Sequence, residues 1–325
     1  MERRRFLLTS LGGVLPIPLT AEAQRAAKTY RLAYLSNSAE RTPVDAAFLD
    51  ALRDLGYIDG QNLRIDARYT GGRLEAFAQI VAEVASPRPD VIFVWSDGFA
   101  RAVKNGTTGI PIVFSAAIGP VENGLVESVA RPGGHVTGTT LLGYDFVAKQ
   151  LSLLRELIPS ATRVALLANT AHAMTRPYTE PAIKAGPSLN ITVELVGANA
   201  PEAIEGAFLD MRPRGIHAVL VTADTMYWSI RERIVRAAAQ SRLPTMYWTR
   251  EYVEAGGLIS YAANLAEIGK VGAGYVGRIL KGARPADLPV QDPTKFELII
   301  NLKTAKALGL TIPPSLLLRA DQVIE

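Results

Sequence analysis

Few side chains in this sequence could do chemistry, and most of them stand in repeated places. Asp97 and Asp224 each follow an apolar run, 90–95 and 217–222, and could form a carboxylate pair for glycoside or proton-transfer chemistry. The same positions suit helix N-caps, where Asp is favoured for its hydrogen bond to the backbone, so both readings stay open. Asp224 has a third, as the anchor of a ligand ammonium. Ser36, Ser38, Ser96 and Ser115 sit at other run ends. With the backbone N–H groups of the helices that follow, they could hold a carboxylate, or else act as caps themselves. Trp95, Trp228 and Trp248 close such runs or lie just beyond them, with Tyr144, Tyr227, Tyr247 and Tyr261 nearby. Aromatics so placed suit a flat apolar ligand or the edge of a sheet. If they line a site, Trp95→Ala or Trp248→Ala is expected to weaken binding and leave the empty protein's stability almost unchanged.

Other machinery is missing. With no Cys there are no disulfides, thiolate zinc sites, iron–sulfur clusters or Cys nucleophile. His135, His172 and His217 are too scattered for a metal site, and there is no Gly-x-Ser-x-Gly. No catalytic residue, metal or cofactor is therefore expected. Gly272-Ala-Gly-Tyr-Val-Gly277 matches the dinucleotide fingerprint by letters, but it falls inside a helical pattern at 268–280, where glycines serve close helix packing. Lys+Arg 35 against Asp+Glu 31, interspersed, leaves no basic block for nucleic acid. A chain of 325 residues, 48% of them hydrophobic, has room for two cored domains and is not disordered.

The elements that must position these residues follow a βαβ rhythm, short apolar runs alternating with amphipathic stretches. Strands are expected at 31–36, 63–69, 90–95, 111–114 and near Val136, then at 163–168, 191–196, 217–222, 244–247 and 258–261. The two series superpose. Arg31-Leu-Ala-Tyr-Leu-Ser-Asn37 lies over Arg163-Val-Ala-Leu-Leu-Ala-Asn169, pairing Asn37 with Asn169. The run ending at Asp97 lies over the run through Thr222 to Asp224. Two similar lobes with facing strand ends make a cleft, and in open parallel sheets ligands sit beyond the carboxyl ends of strands.

The first 23 residues read as an export signal: Arg3, Arg4 and Arg5, an apolar stretch at 6–19, and Ala21-Glu-Ala23 as a cleavage site. The general and twin-arginine routes are both compatible with it. No Cys follows, so a lipoprotein anchor is not expected, and the mature product is expected in the periplasm.

Six segments carry a resemblance: Leu55-Gly-Tyr-Ile-Asp-Gly-Gln-Asn62, Ile110-Pro-Ile-Val-Phe114, Arg131-Pro-Gly-Gly-His-Val-Thr-Gly138, Ile279-Leu-Lys-Gly282, Phe296-Glu-Leu-Ile-Ile-Asn-Leu-Lys303 and Ala307-Leu-Gly-Leu-Thr-Ile-Pro-Pro314. From about Lys28 onward the chain resembles the exported substrate-binding proteins of ABC transporters, specifically the tryptophan/tyrosine-binding group. It departs from that group at Ser96-Asp97-Gly98, where a Gly-Thr-Pro-like turn is usual, and at Gly119-Pro120, where Asp-Pro is usual. The resemblance implies an α/β type I periplasmic-binding fold: two doubly wound parallel-sheet lobes joined by three crossovers, near Gly143, Ala262–Asn264 and Arg284–Pro289. Lobe 1 would hold 28–142 and 264–284, and lobe 2 143–263 and 285–325. Such a protein is a monomer that closes its hinge on a small amino-acid-like solute and delivers it to a permease in the inner membrane. A sensor role, or a hydrolase using the cleft carboxylates, is the alternative. The expected ligand-facing set is Ser36, Asn37, Ser38, Trp95, Ser96, Asp97, Ser115, Asn169, Thr222, Asp224, Trp248 and Asn264.

Overall fold

The computed structural model describes residues 28–71, 73, 77–141, 146–172 and 175–325. The expected export signal, the crossover at Gly143 and Tyr144 lie outside them. Five parallel strands, β1 (Tyr30–Ser36), β2 (Leu63–Tyr69), β3 (Val91–Trp95), β4 (Ile112–Ala117) and β5 (Val136–Thr140), form one sheet in the order β2-β1-β3-β4-β5. A second sheet repeats that order with β6 (Arg163–Ala168), β7 (Thr192–Gly197), β8 (Ala218–Val221), β9 (Thr245–Tyr247) and β10 (Ile259–Ala263), as β7-β6-β8-β9-β10. It then gains β11 (Phe296–Asn301), antiparallel to β10, and β12 (Gln322–Ile324).

Sequence explains the layering. Central strands such as β3 and β8 are buried along their whole length and read as unbroken Val/Ile/Leu/Phe runs, because helices cover both faces of a parallel sheet. The edge strands β2 and β7 carry Arg64, Asp66, Arg68 and Glu194. The helices of the first half are α1 (Pro43–Asp54), α2 (Phe77–Ala85) and α3 (Asp97–Gly106). Those of the second are α4 (Phe146–Leu157), α5 (Thr175–Ala185), α6 (Ala203–Met211), α7 (Thr225–Ser229), α8 (Arg231–Gln240) and α9 (Arg250–Glu254). The chain closes with α10 (Leu265–Leu280), α11 (Leu302–Ala307) and α12 (Pro314–Leu317).

Two crossings between the sheets are described. After β10 in the second sheet, α10 returns to lie on α1, β3 and β4 of the first. Its glycines permit this. A Cβ at Gly272 would stand 2.6 Å from the Phe93 ring and 2.8 Å from Ser115 Oγ, and one at Gly269 would stand 3.3 Å from the Trp95 ring. The dinucleotide-like spacing is thus a helix–sheet contact. The next crossing departs from expectation, because residues 285–292 stay with the first sheet. Val290 N–H donates to Val129 at 2.8 Å, Gln291 bridges to Thr139, and the Thr137 hydroxyl donates to the Leu288 carbonyl at 2.6 Å. Leu288 and Val290 are buried there, so the passage to the second sheet falls between Asp292 and Phe296 rather than at 284–289. Among the described residues no helix is long and apolar enough to cross a membrane.

Candidate functional site

In a sheet ordered 2-1-3-4-5 the connections leave in opposite directions on either side of the pair β1/β3, and a crevice opens beyond their carboxyl ends. Here that crevice receives Ser36 to Ser38 from β1 and Trp95 to Asp97 from β3. The same switch point in the second sheet, β6/β8, brings His172 and Ala223 to Thr225. The two crevices face each other and enclose about 690 Å3 of free space, counting the part open to solvent. Trp95, Trp228 and Trp248 form its aromatic wall together with Val44, Ile118, Leu141 and Leu265.

Eight of the twelve expected residues line this space: Ser36, Asn37, Ser38, Trp95, Ser96, Asp97, Asp224 and Trp248. The other four do not. Ser115 Oγ is fully buried behind α10 and bonds Thr139 Oγ1 at 3.1 Å. Thr222 donates its hydroxyl to the Leu167 carbonyl inside the second sheet. Asn264 caps α10 through Glu267 N and donates to Glu297 at 2.6 Å. Asn169 supports the site from behind, donating Nδ2 to Asp224 Oδ2 at 3.2 Å. The tyrosines expected nearby pack elsewhere: Tyr227 and Tyr247 are core residues, one donating to the Ala198 carbonyl and the other stacked on Tyr252, and the half-buried Tyr261 stacks on Phe146.

The caps correct the paired reading of the two aspartates. Asp224 is the N-cap of α7, its Oδ1 accepting from Tyr227 N at 3.1 Å. In the first lobe the cap is Ser96, and Asp97 is the first residue inside α3. Ser96 reaches this role with φ 73° and ψ 155°, a region that non-glycine residues rarely occupy, and Ala116 at the end of the neighbouring strand has φ 60°. Such strain at adjacent strand ends is held in place by the packing around it and concentrates at functional sites. Asp97 Oδ2 accepts from the Asn123 amide at 3.2 Å, as Asp224 Oδ2 does from that of Asn169.

Sequence reasoning missed Thr42, Asp45 and His172. Thr42-Pro-Val-Asp45 has the spacing of a capping box, and the structure forms one, with Asp45 Oδ2 accepting from Thr42 N at 2.7 Å and Thr42 Oγ1 at 2.6 Å. Asp45 is 1% exposed, and its other oxygen accepts from the Tyr34 hydroxyl. Burial, then the charge of Asp45, holds the Tyr34 phenol well above its ordinary pKa, so it stays a donor. Tyr34 in turn accepts from Trp95 Nε1 at 2.7 Å. The other indole N–H groups are also engaged: Trp228 donates to Ser38 Oγ at 3.4 Å, across the cleft, and Trp248 to Tyr252 at 3.3 Å. All three rings therefore offer the cavity apolar surface. Trp95, 8% exposed and wedged between α10 and an edge-on Phe93, is also part of the core. Trp248, 6% exposed and packed on Trp228 and Tyr252, is core as well, so the expectation that Trp95→Ala or Trp248→Ala spares stability is withdrawn, since removing a buried Trp costs about 3 to 5 kcal/mol.

The electrostatics of the site are one-sided. Asp45, Asp97 and Asp224 line it, and among the described residues His172 is the one basic side chain that does. Burial raises the Asp224 carboxyl above its usual range, opposed by the Tyr227 N–H, His172 and Asn169. Asn37 is 6% exposed; its Nδ2 donates to the Trp95 carbonyl at 3.2 Å, and its Oδ1 has no partner. Among the described residues no three His, Cys, Asp or Glu side chains are close enough together to hold a metal ion.

Comparison with known proteins gives this architecture its relatives. The sequence matches the family described as ABC transporter substrate binding protein over residues 35–324. It is 28% identical over 279 residues to a tyrosine-binding protein of Clostridioides difficile (strain R20291), spanning 85% of this chain and 80% of that one. The structure is similar to that of a Streptococcus pneumoniae ABC domain in complex with L-Trp, with TM-score 0.85 and 25% identity, over 91% of this chain and 100% of that one. It is less similar to the ligand-free, open structure of a Clostridium difficile substrate-binding protein, with TM-score 0.68 and 24% identity, over 91% and 99%. With the match covering nearly the whole described chain and both lobes in the type I periplasmic-binding arrangement, the chain belongs to the ABC transporter substrate-binding proteins.

Proposed function

We propose that this protein is the exported, periplasmic receptor of an ABC importer and captures a small aromatic, amino-acid-like solute between its lobes. The observation that carries the reading is the single cavity wall built from both lobes, with Trp95 and Asp97 from one and Trp228, Trp248 and Asp224 from the other. A ligand that touches both lobes binds the closed form better than the open one. A difference of about 5.5 kcal/mol takes the closed form from 1% to 99% of the population. The similarity to the L-Trp complex, with TM-score 0.85 at 25% identity, supports this reading. The Trp228–Ser38 hydrogen bond joins the two lobes in the same sense. Closure would give a permease in the inner membrane a shape to recognise, and the protein would work as a monomer.

The test has two parts. Mass spectrometry of the compound retained by protein purified from its native compartment should find an aromatic amine or amino acid. X-ray scattering should show a smaller radius of gyration on adding that compound, with an unchanged far-ultraviolet circular dichroism spectrum. An unchanged radius with a saturating, tightly bound solute would refute hinge closure.

A further inference from the structure

Resting on the reading of this cavity as a solute site, we propose that it selects aromatic amines over the corresponding amino acids: the ligand's positive charge is recognised, and a carboxylate is not required. Three observations converge. Among the described residues the acidic and basic side chains of the lining are three carboxylates, from both lobes, and one imidazole, with no Lys or Arg. The unpartnered buried atom in the lining, Asn37 Oδ1, is an acceptor. It wants an N–H and would repel a carboxylate oxygen. Most N–H donors of the lining are already committed, and the hydroxyls of Ser36, Ser38 and Ser96, which accept from Ser38 N, Trp228 and Phe99 N, are the neutral donors left. The three indole N–H groups bond Tyr34, Ser38 and Tyr252, and Thr42 bonds Asp45.

The helix starts support the same choice. A helix N-terminus favours an anion by its dipole and free N–H groups. Three helices that begin at the cavity already have one of their own, since Asp45 lies in the first turn of α1, Asp97 in that of α3, and Asp224 caps α7. What remains for a ligand carboxylate is a few neutral hydroxyls facing three negative charges. For an ammonium the same surroundings are attractive on both sides of the cleft. With no cluster of metal ligands among the described residues, the cation that fits is an organic one, whose ring meets the tryptophan faces while its ammonium meets Asp97 and Asp224.

Isothermal titration calorimetry of the purified protein at pH 7.5 with tryptamine, L-tryptophan, tyramine and L-tyrosine tests the selection. At least one amine should bind tenfold or more tightly than its parent amino acid. In Asp97→Asn, checked for a native circular dichroism spectrum, that preference should shrink several-fold. Amino acids bound as tightly as the amines, or more so, would overturn the selection and leave the solute-binding reading standing. Absence of binding by all four would overturn both.

Discussion

Asp224→Asn separates the structural and the recognition roles of one side chain. In the parent protein Oδ1 caps α7 through Tyr227 N and Oδ2 accepts from Asn169. An Asn side chain keeps the cap, because its carbonyl oxygen replaces Oδ1 and Asn caps as well as Asp. Its amide group then faces the Asn169 amide, donor to donor, which removes one hydrogen bond worth about 1 kcal/mol. Against that loss stands relief: burial pushes the Asp224 carboxyl above its usual range, so the ionised form is disfavoured in the fold. The two effects oppose each other, and the melting temperature of the empty protein should move by only a few degrees in either direction. Binding responds differently. A carboxylate and an ammonium about 3 Å apart attract by about 5 kcal/mol at an effective dielectric constant of about 20. Removing one partner of such a buried pair costs about 2 to 5 kcal/mol, or roughly 30-fold to a few thousand-fold in affinity. Calorimetry with the tighter of tryptamine and L-tryptophan is the assay. Affinity within twofold of the parent would show that Asp224 is a cap and nothing more. The pH dependence has a definite sign as well. In the empty protein the raised pKa means that the carboxyl takes up a proton as pH falls, before ordinary aspartates do. A bound ammonium needs it ionised, so parent affinity should fall on acidification, and the fall should be weaker in Asp224→Asn.

Two further substitutions test the scaffold. Gly272→Ala would place a methyl group 2.6 Å from the Phe93 ring, forcing α10 off the sheet at a cost of about 1 to 3 kcal/mol; a melting temperature equal to the parent's would contradict the close-packing account of these glycines. Tyr34→Phe would leave Asp45 and the Trp95 N–H each short of a buried partner, lowering stability by about 1 to 3 kcal/mol in chemical denaturation. An unchanged midpoint and slope would show the relay to be idle.

What the sequence made legible was whatever local pattern controls. Uninterrupted apolar runs marked the central strands, and superposing the two halves placed Asn37 and Asp97, and Asp224, at the switch points where ligands bind. The repeat misled where the halves diverged. Asn37 and Asn169 occupy matching positions, yet one bonds the Trp95 carbonyl and lines the cavity while the other holds Asp224 from behind. Ser115 and Thr222 stand at strand ends like their neighbours but face the layer beneath, and which way a strand-end side chain points depends on packing that no run length reveals. Asp45 was hidden for another reason: its capping-box spacing announces a helix start, and only the folded chain brings Tyr34 and Trp95 onto it.

The acidic lining also bears on how the empty protein behaves. In the arrangement described, Asp45 and Asp97 on one side of the cleft and Asp224 on the other bound a common space, and among the described residues the ion pairs made by Lys and Arg go to other carboxylates. Drawing like charges together into a space that excludes water is unfavourable, and more so as the local dielectric constant falls. Closure without a ligand therefore works against this repulsion, with the Trp228–Ser38 hydrogen bond as a polar link across the gap. A cationic ligand reverses the sign of the interaction, turning the charges that hold the lobes apart into the ones that hold them together. On the proposed mechanism, that reversal couples recognition to the hinge: the groups that choose the solute are the same ones whose repulsion keeps the empty form open, so a neutral ring that merely fits between the tryptophans would bind without closing the protein.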